Sequence, residues 1–528
     1  MPGSRVTPMS PEATTLAILA LAVVAFVSNR VPLGIVAIGV SVSLWLTGIL
    51  ELDDALAGFG DPTVIFIATL FVVGEALDST GVTAWAGEQL LVRGGEGRAR
   101  LLVVVCLLVA VLTALISVNG AVAALIPVVV VVAARAGMPP SQMLMPLAFS
   151  AHAGSMLALT GTPVNIIVSN AAQDAGARPF AFLEFALAGI PLLTGALVII
   201  VVFGRRLLPH RTPESLPQDL GDLTDALRAQ YALPEGTDLV GATRGVTEVV
   251  VAPRSPLIGQ HLFAGMATPS GDLVVLAVQR SGDELEGPDE RLRAGDTLLL
   301  SGSWDKLQEH TSGGGEVLVV DDPARLRRGV PLGRGARRAV AVLAGMVVLL
   351  ATGIVPSAIA GLFAACAVVL TGVLTPTQAY RAVSWTTVVL VGGMIPLSTA
   401  FTTTGTADLI AGRLLDVVGS ASPHLALLAL CLITMLLGQL ISNTATVLIM
   451  TPIGAVVALD LGASPLPFMM ALGISGAASF LTPVATPANT MILEPGGYRF
   501  GDYWKLGLPL LLLFLAVAVL WVPVVWGF

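Results

Sequence analysis

The chain has 528 residues, 55% of them hydrophobic and only 12% charged, with a mean hydropathy of +0.87. Soluble domains carry roughly 25% charged residues, so the composition excludes an ordinary soluble protein, and no nucleic-acid polymer is expected as a partner. The formal net charge of −8 says little by itself, because the placement of the charges matters more than their sum. Cys106, Cys366 and Cys431 all lie inside apolar runs, which argues against a disulfide framework or a CxxC metal site.

In chain order, a tail at 1–13 precedes apolar runs at 14–30, 32–50 and 62–91. Such runs have the length needed to cross about 30 Å of hydrocarbon. The first run is read as a retained span and not a leader, since only Arg5 precedes it and a second apolar run follows at once. A segment at 101–135, interrupted at Ser117-Val118-Asn119-Gly120, leads to spans at 142–173 and 183–204, completing a first membrane repeat of 14–204. A linker at 205–243, a compact module at 244–312 and a basic linker at 313–337 follow. The second membrane repeat, 338–528, has spans at 338–354, 356–374 and 386–418, an interrupted segment at 424–458, and spans at 466–494 and 504–526.

A constant offset relates the two hydrophobic halves, and repeats are sought first because missing one misreads the whole fold. Val31-Pro32 returns as Val355-Pro356, Leu46-Thr47-Gly48 as Leu370-Thr371-Gly372, Thr80-Gly81 as Thr404-Gly405, and Thr162-Pro163-Val164-Asn165 as Thr486-Pro487-Ala488-Asn489, always 324 positions on. Basic residues fix the topology. Arg93, Arg98 and Arg100 precede 101–135 and Arg135 follows it, so both ends are cytoplasmic and the segment is a re-entrant hairpin. Arg205, Arg206, Arg325, Arg327 and Arg328 make the central stretch cytoplasmic. Five crossings per half is an odd number, so the copies enter the membrane in opposite senses. The expected fold is an all-α polytopic membrane protein: an inverted repeat of five transmembrane helices plus one re-entrant hairpin per half, with a small α+β cytoplasmic domain inserted between the halves. It would lie in the plasma (inner) membrane.

Four polar breaks interrupt the apolar segments, two per half. The hairpin tips are Ser117-Val118-Asn119-Gly120 and Ser442-Asn443-Thr444-Ala445; the span breaks are Thr160-Gly161-Thr162-Pro163-Val164-Asn165 and Thr482 to Asn489. Unwound backbone at membrane depth is tolerated only where protein buries it or it lines a cavity. Thr162-Pro163 and Thr486-Pro487 have the form of an N-cap followed by proline at the first helical position. Helix N-termini attract anions, and freed carbonyls with hydroxyl and amide oxygens suit a hard cation such as sodium. No Lys or Arg stands at these breaks. An isolated Asn or Ser in a membrane helix ordinarily makes only an interhelical hydrogen bond; four breaks at matching repeat positions point instead to a site. His152, an ionisable residue inside a span, is a candidate for substrate contact or proton carriage, or else a neutral histidine bonded to backbone. Its aligned position is Gly476.

Through Ser442-Asn443-Thr444 and the paired Gly161-Thr162-Pro163-Val164-Asn165 and Ala485-Thr486-Pro487-Ala488-Asn489 breaks, both membrane halves resemble the divalent anion:sodium symporter family of the ion-transporter superfamily. The resemblance implies that the tips and breaks (Ser117, Asn119, Ser442, Asn443, Thr444, Thr162 and Thr486) bind substrate oxygens. It also implies that Ser117, Asn119, Gly161 and Asn165 form one sodium site and that Ser442, Asn443, Thr444, Ala485 and Asn489 contribute to a second. It further implies a homodimer in membrane lipid, with contacts near 32–50 and 356–374. The first tip departs from the family pattern: Val118 stands where an amide is expected. Substrate identity and the choice between sodium and proton coupling therefore stay open.

From 244 to 312 the pattern turns to period-two strands with Gly-Asp turns. Ser255-Pro256-Leu257-Ile258-Gly259 and Gly295-Asp296-Thr297-Leu298-Leu299-Leu300-Ser301-Gly302 resemble the C-terminal domain of RCK-type potassium-transport regulators, which implies dimerisation or a small regulatory ligand. No GxGxxG, HExxH or GxSxG motif occurs, so neither a tightly bound organic cofactor nor an enzyme is expected. The leading expectation is a secondary transporter coupling sodium influx to uptake of sulfate or a dicarboxylate. The alternatives are a proton-driven anion efflux permease and a ligand-gated channel.

Overall fold

The computed structural model describes residues 10–28, 30–82, 85, 97–211, 231, 239, 244–268, 270–280, 283–285, 291–312, 317–320, 335–418, 422–483 and 485–528. The chain divides into two compact units. One is built from Met1–Glu75, Leu90–Ser215 and Ala341–Phe528, the other from Ala76–Gln89 and Leu216–Val340.

Long apolar runs with no water to satisfy their backbone become helices, because a helix pairs its own N–H and C=O groups. The first half contributes α1 (Pro11–Ser28), α2 (Leu33–Leu46), α3 (Leu52–Ala57), α4 (Pro62–Ser79), α5 (Arg98–Leu115), α6 (Val118–Arg135), α7 (Ser141–Gly154), α8 (Pro163–Asp174) and α9 (Ala186–Val198). The second contributes α10 (Ala336–Thr352), α11 (Ser357–Leu370), α12 (Pro376–Ala382), α13 (Trp385–Thr403), α14 (Thr406–Val418), α15 (Pro423–Leu437), α16 (Asn443–Asp460), α17 (Pro465–Ala477), α18 (Pro487–Met491) and α19 (Tyr503–Ala516). Among the described residues, six helical stretches are long and apolar enough to cross a membrane: Leu52–Ser79, Arg98–Leu115, Ala186–Leu207, Trp385–Thr403, Asn443–Asp460 and Phe500–Trp526.

The 324-residue offset is visible in the local structure. α2 and α11 both end in a threonine whose hydroxyl donates back to the previous turn (Thr47 to Ser43 O, 2.7 Å; Thr371 to Ala367 O, 2.6 Å). Each is followed by a glycine at φ +71° or +70° (Gly48, Gly372), a conformation only glycine adopts cheaply. The span expected at 62–91 is shorter: α4 ends at Ser79, and Gly81 at φ +71° turns the chain. Residues 86–91 lie outside the described set. The last helix of each half shares another irregularity. A proline sits inside each (Pro191, Pro509), and eight residues later a single π turn begins (Ile199–Phe203, Val517–Trp521). In the membrane unit, α2 packs closely on α13, where a side chain at Gly393 would lie 2.7 Å from the Ala37 backbone, and Ser41 donates to Gly393 O at 3.0 Å.

The second unit carries a five-stranded antiparallel sheet, β1 (Arg244–Val251), β2 (Val274–Arg280), β3 (Asp283–Glu284), β4 (Thr297–Ser303) and β5 (Val317–Val319), in the order β3-β2-β4-β1-β5. Alternate residues Val249, Val251, Leu298 and Leu300 face one core with Leu273, Val275, Trp304 and Leu307, the period-two burial expected of a strand. Sequence reading ends this module at 312. The structure adds β5, too short to announce itself by periodicity and fixed by its pairing with Val249–Val251 of β1.

One ion pair anchors the β2–β4 end. Arg280 donates from Nε and Nη2 to the two Asp296 oxygens at 2.8 Å each, and the Arg293 amide adds a third bond at 2.7 Å. Burial alone would push the Asp296 carboxyl up, but the Arg280 guanidinium and the Arg293 amide outweigh it and hold the group below its usual range. Its contribution to stability is therefore full above about pH 4 and lost as pH falls through the lowered folded value. Arg280→Ala is expected to weaken the sheet by about 2 kcal/mol, since it leaves a buried carboxylate without its guanidinium partner. Hydrogen exchange of peptides covering β1, β2 and β4, corrected for intrinsic rates, is the check: protection should fall about 30-fold at neutral pH.

Candidate substrate and cation site

The first half's broken span starts with α7, which ends at Gly154 and runs into two 3-10 turns, Ser155–Leu157 and Leu159–Gly161. Thr162 is extended (φ −155°, ψ 148°) and caps α8, accepting from the Val164 amide at 3.4 Å, with Pro163 at the first helical position. Asn165 holds the break together from inside. Its fully buried amide nitrogen donates to Ser155 O and Ala158 O, both at 2.8 Å. Its amide oxygen is buried without a hydrogen-bond partner. Thr160 donates to Ala114 O at 2.8 Å, tying the break to the end of α5 just before the first tip. There, Ser117 accepts from the Gly120 amide at 3.2 Å, and Asn119 is exposed.

The second half repeats the scheme. Asn489 is also fully buried and donates to Ser479 O at 2.8 Å and Thr482 O at 3.1 Å. These acceptors are the 324-offset counterparts of Ser155 and Ala158. Thr486 is extended, caps α18, and accepts from the Asn489 amide at 3.3 Å. Ser442 caps α16 through the Ala445 amide at 3.3 Å, and Thr444 is half-buried beside it. The local path differs, for two reasons. Leu159 donates to Phe182 O at 2.9 Å, but its counterpart Pro483 has no N–H. A side chain at Gly161 would lie 2.2 Å from Ser155 O, so the tight path is closed to Ala485. The second break is accordingly irregular where the first is wound into turns.

Two residues outside the sequence-derived set bind the second tip to its break. Gln439 donates to Ala478 O at 2.9 Å and accepts from the Leu481 amide at 2.9 Å. Ser479 donates to Asn443 Oδ1 and to Gly438 O. A lone glutamine inside an apolar run was the available signal for the first.

The halves interlock crosswise. α18 packs against α6, and α8 against α16, so each break helix rests on the other half's hairpin arm. His152, 2% exposed, reaches from α7 into the second break: its Nε2 is 3.4 Å from Asn489 Oδ1 and 3.3 Å from Thr486 Oγ1. Phe480 stacks edge-on against both His152 (5.7 Å) and Phe149 (5.1 Å). The pairing of His152 with Gly476 needs correction. Cys106 lies against Pro146 O and Cys431 against Ala471 O, an offset of 325, whereas the asparagine contacts keep 324. Nine residues separate Pro146 from Ser155 but only eight separate Ala471 from Ser479. The first half thus carries one extra residue in the stretch that holds His152, which has no strict counterpart.

Comparison with known proteins follows from this geometry. A citrate transporter family model (CitMHS) matches residues 23–428 and 404–528. The chain is 29% identical to an uncharacterized transporter, YfbS, of Escherichia coli (strain K12), over 97% of this chain and 99% of that protein. It is 26% identical to sodium/sulfate cotransporter 1 of Chlamydomonas reinhardtii, over 50% of this chain and 31% of that one. The fold is similar to the crystal structure of the YdaH transporter of Alcanivorax borkumensis, with a TM-score of 0.51 at 15% identity over 98% of this chain and 99% of that one.

Proposed function

Because this chain belongs to the citrate transporter family, we propose that it is a secondary active transporter in which sodium influx drives uptake of a small divalent anion such as sulfate or a dicarboxylate. It is a transport protein and not an enzyme. The observation that carries the reading is the crosswise interlock of four polar breaks with a buried, unpartnered Asn165 oxygen among them. The anion lies against the starts of α16 and α8, where the side chains of Ser442, Asn443, Thr444 and Thr162 supply donors and the helix starts favour negative charge. The cation lies at the first break, with Ser117, Gly161 and Asn165. The name of the sodium/sulfate relative supports both cargoes.

In this reading the halves act as an inverted repeat, and the hairpin-bearing bundle moves against α2 and α11 to alternate access. The exposed apolar faces of α2 (Ile35, Trp45) and α11 (Phe363, Leu370) suit a homodimer contact. The sheet-bearing unit is cytoplasmic and takes a regulatory ligand or a second copy.

Reconstitution in proteoliposomes tests the function. Labelled sulfate or succinate should accumulate only with an inward sodium gradient, and Asn443→Ala should cut the rate at least about 10-fold, the worth of one hydrogen bond to a charged group. A proton-driven permease draws on one observation, the apolar Val118 at the first tip. Flux that follows a pH gradient and ignores sodium would establish that alternative.

A further inference from the structure

Asn165 and Asn489 use their amide nitrogens identically, each donating to two backbone carbonyls of its own break. That fixes both side chains, since the group facing two carbonyls must be the NH₂. Their oxygens differ. Asn165 Oδ1 is fully buried and unpartnered. Asn489 Oδ1 faces His152 Nε2 at 3.4 Å, with Thr486 Oγ1 at 3.3 Å from the same nitrogen. An amide oxygen only accepts, so the contact with Asn489 is a hydrogen bond in the tautomer that carries the hydrogen on Nε2, which the two oxygens then share. A second oxygen in this half is occupied in the same way: Asn443 Oδ1 accepts from Ser479. His152 reaches this position from the stretch in which the first half is one residue longer, and the second half has only Gly476 and Ala477 there, with nothing to return the contact.

A cation and an N–H donor compete for the same lone pairs. A buried oxygen with no donor has lone pairs open to a cation or a water, and one already facing an N–H has fewer to offer. We propose that this chain binds one coupling cation, at the Asn165 break, and that the His152 N–H takes the place of a second cation at Asn489 and Thr486. The proposal rests on reading the chain as a cation-coupled transporter and adds its stoichiometry. It makes His152 a positioning residue that holds the second break ready without a cation. It also means that uptake of a divalent anion carries net negative charge inward, so an inside-negative potential slows it.

Equilibrium binding of ²²Na⁺ to the purified full chain in nanodiscs is the test, counted per monodisperse chain. Wild type should bind one ion, Asn165→Ala none, and His152→Gly two. His152→Gln, which keeps an N–H donor the same number of bonds from the backbone, should return the count to one. Two ions on the wild type, or one on a His152→Gly chain that elutes like wild type, overturns the proposal and leaves sodium coupling standing. No ion on the wild type overturns sodium coupling itself. If His152→Gly fails to elute as folded, the wild-type count with its loss in Asn165→Ala decides.

Discussion

Asn165→Ala is expected to reduce cation-driven uptake at least about 100-fold. The substitution removes a donor from two buried carbonyls, Ser155 O and Ala158 O, of which the second keeps the Gly161 amide. Each costs roughly 1–3 kcal/mol to leave unmade. The two 3-10 turns lose the contact that draws them together, and the cation loses its open amide oxygen. Asn165→Asp should fail comparably: it keeps an oxygen for the cation but turns an acceptor toward two carbonyls, where a donor is required. Uptake in proteoliposomes, read beside a size-exclusion profile, separates loss of the site from loss of the fold. The long helices have their own backbone pairing and should survive both changes.

Gly161→Ala is the second large effect. A methyl group there would sit 2.2 Å from Ser155 O, the same carbonyl that accepts from Asn165. Relief requires moving backbone between the buried Ser155 and Gly161, and overpacking of this kind costs about 3 kcal/mol. A clear drop in the melting temperature of the detergent-solubilised protein is expected, together with loss of uptake. Gly39→Ala is the control, since nothing lies within 4 Å of that position, and it should melt at or slightly above wild type. The natural alanine at the equivalent second-half position, Ala485, is tolerated only because that break follows a different path.

What was legible in the sequence is what short-range chemistry dictates. Thr-Gly after an apolar run closes a helix, as Thr47-Gly48 and Thr371-Gly372 do. Thr-Pro opens one, as Thr162-Pro163 and Thr486-Pro487 do. These motifs depend on their own neighbours, so the offset between them survives as readable text, and the asparagines three residues after each capping threonine were recognisable as part of the breaks. The contacts that distinguish the halves are long-range and were not legible. Gln439 gains its role from Ala478 and Leu481, some 40 residues on. His152 gains its role from a residue 337 positions away. The one-residue length difference emerges only when matched hydrogen bonds are compared. β5 is three residues long, and no periodicity can be read over so short a run.

The π turns in the closing helices carry information of another kind. A π turn is what remains when one residue is added to an α-helix without unwinding the rest. Both closing helices have it at the same distance, eight residues, from an internal proline. One insertion in the ancestral half, made before it was doubled, is enough to explain both. The one-residue difference in the His152 stretch distinguishes the halves and needs a separate event after the doubling, a gain in the first half or a loss in the second. The molecule thus records an order of events: a kink shared by both halves came first, and the one-residue difference beside the histidine came later.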